Sequence, residues 1–215
     1  MKAACFGMFL CFFTAICLGQ ESGGYVIPFA SRGNVIELAV ENSSTMQSTN
    51  VNVEASVVPS WIRLTNAREV ISQLSGKSEQ MVSFTFTIEK TAPVGQIEKL
   101  TFVVSTPNGQ SWTKEISVKV GPPEKFELFQ NYPNPFNPTT TISYQLTADS
   151  KVSLKVYNML GQEVVTLVDA ERTVGFHQEA WNASSVASGA YVYRLIAKDA
   201  SGKEMVETKT MMFLK

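Results

Sequence analysis

Beyond Gln20, no stretch of this chain keeps apolar residues at helical spacing. Short runs alternate apolar with polar residues instead, and Gly, Pro, Asn and Ser separate them. A period of two places alternate side chains on opposite faces of an extended strand, so the chain must bury strand faces against one another. Val35 to Val40 (VIELAV) is one such run. Val51, Val53 and Ala55 form another, and Val82 to Ile88 (VSFTFTI) puts Phe84 and Phe86 on one face. Trp61, Ile62 and Leu64 form a short strand after Pro59. Leu100, Phe102 and Val104 alternate towards Asn108-Gly109, which supplies the positive φ of a hairpin, and Trp112, Ile116, Val118 and Val120 line the return. Gly76 and its polar neighbours make Asn66 to Gln80 read as a loop.

The pattern is interrupted once. Five of the nine prolines fall between Pro122 and Pro138. Proline fixes φ and donates no ladder hydrogen bond, so this stretch reads as an extended, stiff spacer outside any central sheet. Alternation then resumes at Thr140–Leu146, Lys151–Tyr157, Glu163–Val168, Gly175–Trp181, Ala190–Ala197 and Lys203–Thr210. About seven strands in the second half suit an immunoglobulin-like sandwich. The expected fold is all-β, with two immunoglobulin-like β-sandwich domains in tandem at residues 20–120 and 126–215. Residues 121–138 join them.

Residues 1–19 read differently. Lys2 precedes an apolar run from Phe6 to Leu18, and Gly19 closes it before Gln20. The run falls short of the roughly 20 apolar residues of a membrane span, so a secretory signal peptide cut after Gly19 is expected. The rival reading, lipidation of Cys17, is disfavoured by the bulky Ile16 before it. The three cysteines, Cys5, Cys11 and Cys17, all lie in this leader. A mature chain would carry no disulfide, no thiolate and no transmembrane segment.

Composition narrows the function classes. Lys and Arg number 18 against 19 Asp and Glu. That balance argues against nucleic-acid binding. One histidine, His177, excludes multi-histidine metal sites, and no cofactor motif is present.

Several segments of the second half together resemble one family. They are Phe129-Gln130-Asn131-Tyr132-Pro133-Asn134-Pro135-Phe136-Asn137-Pro138, Val156 to Val164 (VYNMLGQEV) with Gly161 at its turn, Gly175/His177/Trp181, Ser188-Gly189-Ala190-Tyr191-Val192-Tyr193, and the terminal Phe213-Leu214-Lys215. In this order they resemble the C-terminal sorting domain of proteins exported by the type IX (Por) secretion system of the Bacteroidetes. A related pattern occurs in the immunoglobulin-like domain of flagellar hook-capping proteins, but a leader peptide favours the secreted reading. The resemblance implies export through the periplasm to the cell surface or medium. The implied partners are the outer-membrane secretion apparatus and its sortase-like peptidase, with a cut between about Gly121 and Asn131. It also implies a sorting motif comprising Asn131, Tyr132, Pro133, Asn134, Pro135, Phe136, Asn137, Pro138, Gly161, Gly189, Tyr191 and Lys215. The first half more weakly resembles immunoglobulin-like modules appended to secreted bacterial enzymes, through Asn42, Pro59-Ser60-Trp61 and Ala92-Pro93-Val94-Gly95.

Chemistry competes poorly with this reading. His177 lacks a GxSxG nucleophile elbow, so a structural role is expected. Trp61, Trp112 and Trp181 are possible sugar platforms, but each lies in an alternating strand, so core packing is the default. Glu98, Glu115, Glu163 and Glu179 read as solvated strand residues, and Asp149, Asp169 and Asp199 as turn residues. No catalytic activity is expected. The rival functions are an adhesin or carbohydrate-binding module with a glycan or surface ligand for the first domain, and a small secreted hydrolase. For Asn131–Pro138 two readings stay open: a recognition motif, or a segment covering an edge strand.

Overall fold

The computed structural model describes the backbone at residues 11–13, 20–21 and 24–215, and side chains from Gly24 onward. Apart from the backbone at 11–13, the expected leader at residues 1–19 lies outside the described residues. The chain is 65% strand and contains no helix among the described residues. It divides into two compact units, Met1–Gly121 and Pro122–Lys215.

The first unit holds β1 (Cys11–Phe13), β2 (Gln20–Glu21), β3 (Gly24–Ile27), β4 (Asn34–Asn42), β5 (Ser48–Val57), β6 (Ile62–Leu64), β7 (Arg68–Leu74), β8 (Ser78–Ile88), β9 (Ile97–Ser105) and β10 (Ser111–Val120). Its sheets run β1-β4-β8-β6 and β2-β3-β10-β9-β5-β7, and β3 on β10 is the parallel pair. The alternating positions face inward as expected. Ile36, Leu38 and Val40 meet Phe84, Phe86, Val53, Phe102 and Val104 in one buried cluster. Phe84 of one sheet contacts Phe102 of the other at 4.8 Å between ring centroids. Burying each such ring contributes roughly 1.5–3 kcal/mol relative to leaving it in water.

Asn42 is the buried polar exception. Its amide donates to Leu74 O (3.1 Å) and Met46 O (2.8 Å). Its Oδ1 accepts from Ser44 N and Ser44 Oγ. The end of β4 is thereby tied to β7 in the opposite sheet, and every polar atom of the amide is satisfied.

Residues 66–80 are not a loop: β7 and the start of β8 lie there. The buried residues of β7, Ile71 and Leu74, are three apart rather than two, which hides the strand from a period-two reading. Trp61 is 5% exposed, and Trp112 packs partly buried on the core.

The second unit holds β11 (Glu127–Leu128), β12 (Thr139–Leu146), β13 (Ser150–Asn158), β14 (Glu163–Arg172), β15 (Gly175–Asn182), β16 (Gly189–Asp199) and β17 (Glu204–Phe213). Its sheets run β11-β12-β15 and β14-β13-β16-β17, with every strand pair antiparallel. Ile142, Tyr144 and Leu146 meet Val152, Leu154, Val156, Tyr193 and Leu195 in the core. The carboxylate Asp169 lies within β14 rather than in a turn. Asp149 and Asp199 do act in turns: Asp149 Oδ1 accepts Val174 N, and Asp199 Oδ1 accepts Ser201 N and Lys203 N.

The proline-rich stretch is not a uniform spacer. Pro133, Pro135 and Pro138 belong to a segment hydrogen-bonded to β12 and β17 of the second unit. Leu128 and Asn131 are already buried in that unit.

Candidate functional site

The antiparallel topology brings segments far apart in sequence to one end of the second sandwich. Asn158, at the end of β13, pairs with Tyr191 near the start of β16. Gly189, which opens β16, pairs with Phe213 at the end of β17. Thr139, which opens β12, pairs with Asn182, which ends β15. The turn at 158–162, the start of β16, the chain's last residues and the proline segment 131–138 therefore share this end.

The proline segment is pinned from below by two buried residues. Asn131 is 2% exposed. Its backbone N–H donates to the Tyr193 hydroxyl (2.9 Å), and that hydroxyl donates to Phe129 O (2.9 Å). The Asn131 amide nitrogen donates to Pro133 O (3.0 Å) and Thr140 Oγ1 (2.9 Å), and its Oδ1 accepts from Gln130 Nε2 (2.7 Å). Burial pushes the Tyr193 hydroxyl up to about 12, only partly offset by the Asn131 N–H.

Phe136 is the second anchor. Its ring lies 5.2 Å from Phe213 and 5.6 Å from Trp181, and Trp181 meets Tyr191 edge-on at 5.6 Å. Backbone bonds repeat the tie: Phe136 N to Met212 O and Leu214 N to Phe136 O, both 3.0 Å. Asn134 Oδ1 accepts from Met212 N (2.9 Å). The segment thus covers the end of edge strand β17, which would otherwise present unpaired backbone groups. The peptide bonds Tyr132-Pro133 and Asn134-Pro135 are cis.

Between these anchors the segment faces outward. Tyr132, Pro133, Asn134, Pro135 and Asn137 are exposed, and Tyr132 is held only through its backbone, by reciprocal bonds with Thr141. Pro138 is half-buried, with its carbonyl accepting Ala183 N (2.9 Å). Asn131, Phe136 and, through its Oδ1, Asn134 thus hold the fold together, while the side chains of Tyr132, Pro133, Pro135 and Asn137 face solvent.

The turn at 158–162 is equally fixed. Asn158 Oδ1 accepts Leu160 N and Gln162 N, both at 3.0 Å, and Gly161 takes φ +78°, a left-handed conformation suited to glycine. Beside it, a hydrogen bond from Lys155 and a second from Thr166 hold the Glu163 carboxyl below its ordinary value. This rigid turn presents Met159 (67% exposed) and Leu160 (83%) to solvent. Met212 and Leu214 are exposed at the same end. Tyr191 is buried, its hydroxyl donating to Ala187 O (2.6 Å). Lys215 N donates to Ser188 Oγ, and its ammonium lies 6.0 Å from the Phe213 ring centroid.

All twelve residues expected in the motif thus lie at or immediately beneath one surface. Sequence reasoning did not assign Met159, Leu160, Met212, Leu214 or the positioning hydroxyl of Tyr193 to that site. The available signal was apolar residues at a turn and a chain end, where polar residues are usual.

The other candidates are engaged elsewhere. His177 lies on β15, its Nε2 2.7 Å from Thr173 O and its ring stacked on Tyr144 at 5.2 Å. Glu115, Glu163 and Glu179 pair with Lys99, Lys155 and Arg172. No group of three or more metal-ligating side chains occurs among the described residues.

Residues 130–207 match the family described as a secretion system C-terminal sorting domain. The chain carries a type IX sorting tail. Such a tail indicates a secreted or cell-surface protein. The match spans β12 to β16 and only the first four residues of β17, Glu204 to Glu207. No curated protein matches the chain. Among solved structures, it is similar to dimeric latent PorU from Porphyromonas gingivalis at 12% identity and TM-score 0.36, over 97% of this chain and 20% of that one. It is also similar to the YadV chaperone (9% identity, TM-score 0.33, 94% and 99% of the two chains). A third similarity is to the secreted serine protease VesC from Vibrio cholerae (9% identity, TM-score 0.30, 88% and 50%). No helix among the described residues is long and apolar enough to cross a membrane.

Proposed function

We propose that the end of the second sandwich built from Asn131–Pro138, Asn158–Gln162, Gly189 and Met212–Lys215 is the surface read by the outer-membrane secretion apparatus, and that the first unit is a non-catalytic module delivered by it. The observation that carries this reading is the convergence of these separated segments into one rigid surface with exposed apolar residues. Met159 and Leu160 gain nothing for the fold by facing water, and rigid presentation lowers the ordering cost of binding.

A folded tag outlasts removal of a leader peptide and remains available for a second membrane crossing. A sortase-like peptidase acting on this chain would meet exposed Glu124 and Lys125 before the buried Leu128 and Asn131, so a cut belongs in the earlier part of 121–131. Burial of Trp61 disfavours that residue as a sugar platform.

The test compares the full chain with one ending at Gly121, in a host that has the type IX system. The full chain is expected at the surface or in the medium, and the shortened one in the periplasm. Equal delivery of both would overturn the proposal.

A further inference from the structure

Four of the described methionines are exposed, and they form two matched pairs. Met46 (77%) and Met81 (42%) lie in the first unit, Met159 (67%) and Met212 (40%) in the second. Met211 is buried and Met205 packs on the core. A thioether facing water adds little to the fold, and mild oxidants convert it from an apolar group to a polar one.

Strand pairing puts the second pair in one row. Asn158 and Tyr191 are the last residues paired between β13 and β16, so Met159, the next residue, comes level with Ala190. Ala190 pairs with Met212 on its other side. With neighbouring strands about 4.8 Å apart, the two methionine backbones lie about 10 Å from each other across one small residue. Both positions are fixed. Asn158 Nδ2 donates to Gln162 Oε1 (2.8 Å) and Gly161 N to Asn158 O (3.0 Å), which holds the turn that bears Met159. Met212 N donates to Asn134 Oδ1 (2.9 Å), and Met212 O accepts Phe136 N (3.0 Å). Its neighbours Met211 and Phe213 are buried, so by alternation the Met212 side chain stands on the solvent face.

We propose that Met159 and Met212 are a paired sulfoxidation site whose oxidation by hydrogen peroxide closes this end of the sandwich to the secretion apparatus; this rests on the reading of that end as the sorting surface. One peroxide oxygen passes to the thioether sulfur. The S–O bond forms as the O–O bond breaks, the sulfur is oxidised to the sulfoxide, and the peroxide is reduced to water. The product sets an acceptor oxygen on each side of Ala190, where an apolar partner surface would sit, and burying such an oxygen without a donor is costly. The fold does not depend on either thioether, since neither belongs to the buried core of the second unit. A methionine sulfoxide reductase reverses the step.

The test expresses the full chain in a host that has the type IX system, with and without hydrogen peroxide, and maps sulfoxide by peptide mass in periplasm, cell surface and medium. Met46 and Met81, matched in exposure, serve as controls within the same chain. Sulfoxide at Met159 and Met212, each taken relative to its matched control, should be enriched about threefold or more in the periplasmic chains over the delivered ones. Met159→Leu with Met212→Leu stays apolar and takes no oxygen, so peroxide should change its delivery less than it changes that of the wild type. Three results would overturn the proposal: equal sulfoxide ratios in all fractions, the same fractional loss of delivery in the leucine variant, or a lowered melting transition of the second unit in the purified oxidised chain, which places the effect in folding. The sorting reading fails separately: Met159→Ser with Leu160→Ser would then be delivered normally without peroxide. If that variant is retained while oxidised wild type is delivered, only the present inference falls.

Discussion

Tyr193→Phe should loosen the base of the sorting surface and leave the first unit untouched. The substitution keeps the ring, which is fully buried, and removes only the hydroxyl. That hydroxyl accepts from Asn131 N and donates to Phe129 O, each at 2.9 Å. Losing it leaves a buried N–H unpaired, at a cost of about 1–3 kcal/mol, and weakens a carbonyl that retains other options. A net loss of about 2 kcal/mol would lower the melting temperature of a domain of about 60–100 residues by roughly 8–16 °C. The same hydroxyl makes the effect depend on pH. Its folded-state value is raised from 10.0 to about 12, so between those values the unfolded chain ionises while the folded chain holds its proton. Stability from this group is therefore complete below pH 10 and is lost as pH rises towards 12. The loss is at most about 2–3 kcal/mol at 1.36 kcal/mol per unit. The difference between wild type and variant should accordingly be largest near pH 8 and shrink towards zero near pH 12. Calorimetry at the two pH values, with amide exchange to assign each transition to its unit, reads both effects. A variant within 0.5 kcal/mol of wild type at pH 8, or a difference independent of pH, would refute the reasoning.

Other substitutions separate fold from recognition. Phe136→Ala removes the contacts with Phe213 and Trp181 and should destabilise the second unit by about 3–5 kcal/mol, read by urea unfolding. Gly161→Ala meets no atom within 4 Å but must hold φ +78°, so it should cost about 1–2 kcal/mol, as thermal melts would report. Asn42→Ala removes the amide donor to buried Leu74 O, while Met46 O keeps Ser44 Oγ, and should lower the stability of the first unit alone by about 1–3 kcal/mol, as thermal melts would report. Met159→Ser with Leu160→Ser should leave both transitions within about 0.5 kcal/mol, because neither side chain is buried.

Strands with an unbroken period of two were legible from the residues, because half-burial on a pleated face imposes that period. β12, β13 and β16 are the clearest cases. β7 was not, since Ile71 and Leu74 break the alternation in a strand that pairs on one side only, with β5. The prolines were read by composition as a spacer, yet those from Pro133 onward are folded onto β12 and β17 by backbone bonds whose partners lie far along the chain. Composition carries no record of such partners. The pieces of the site could each be read in sequence, but their shared location follows from strand pairing: Asn158 reaches Tyr191, and Gly189 reaches Phe213, only through the registers of β13, β16 and β17. The division of Asn131–Pro138 into buried anchors and exposed residues likewise required the burial of Asn131 and Phe136.

The most direct test of the sorting surface is the intact mass of the full chain in periplasm, cell surface and medium, for wild type and for Met159→Ser with Leu160→Ser. The wild type should be found at the surface or in the medium, with its leader removed. The variant, equally stable, should accumulate in the periplasm. If the two chains show the same masses in the same fractions, the exposed end of the second sandwich is not what the export apparatus reads.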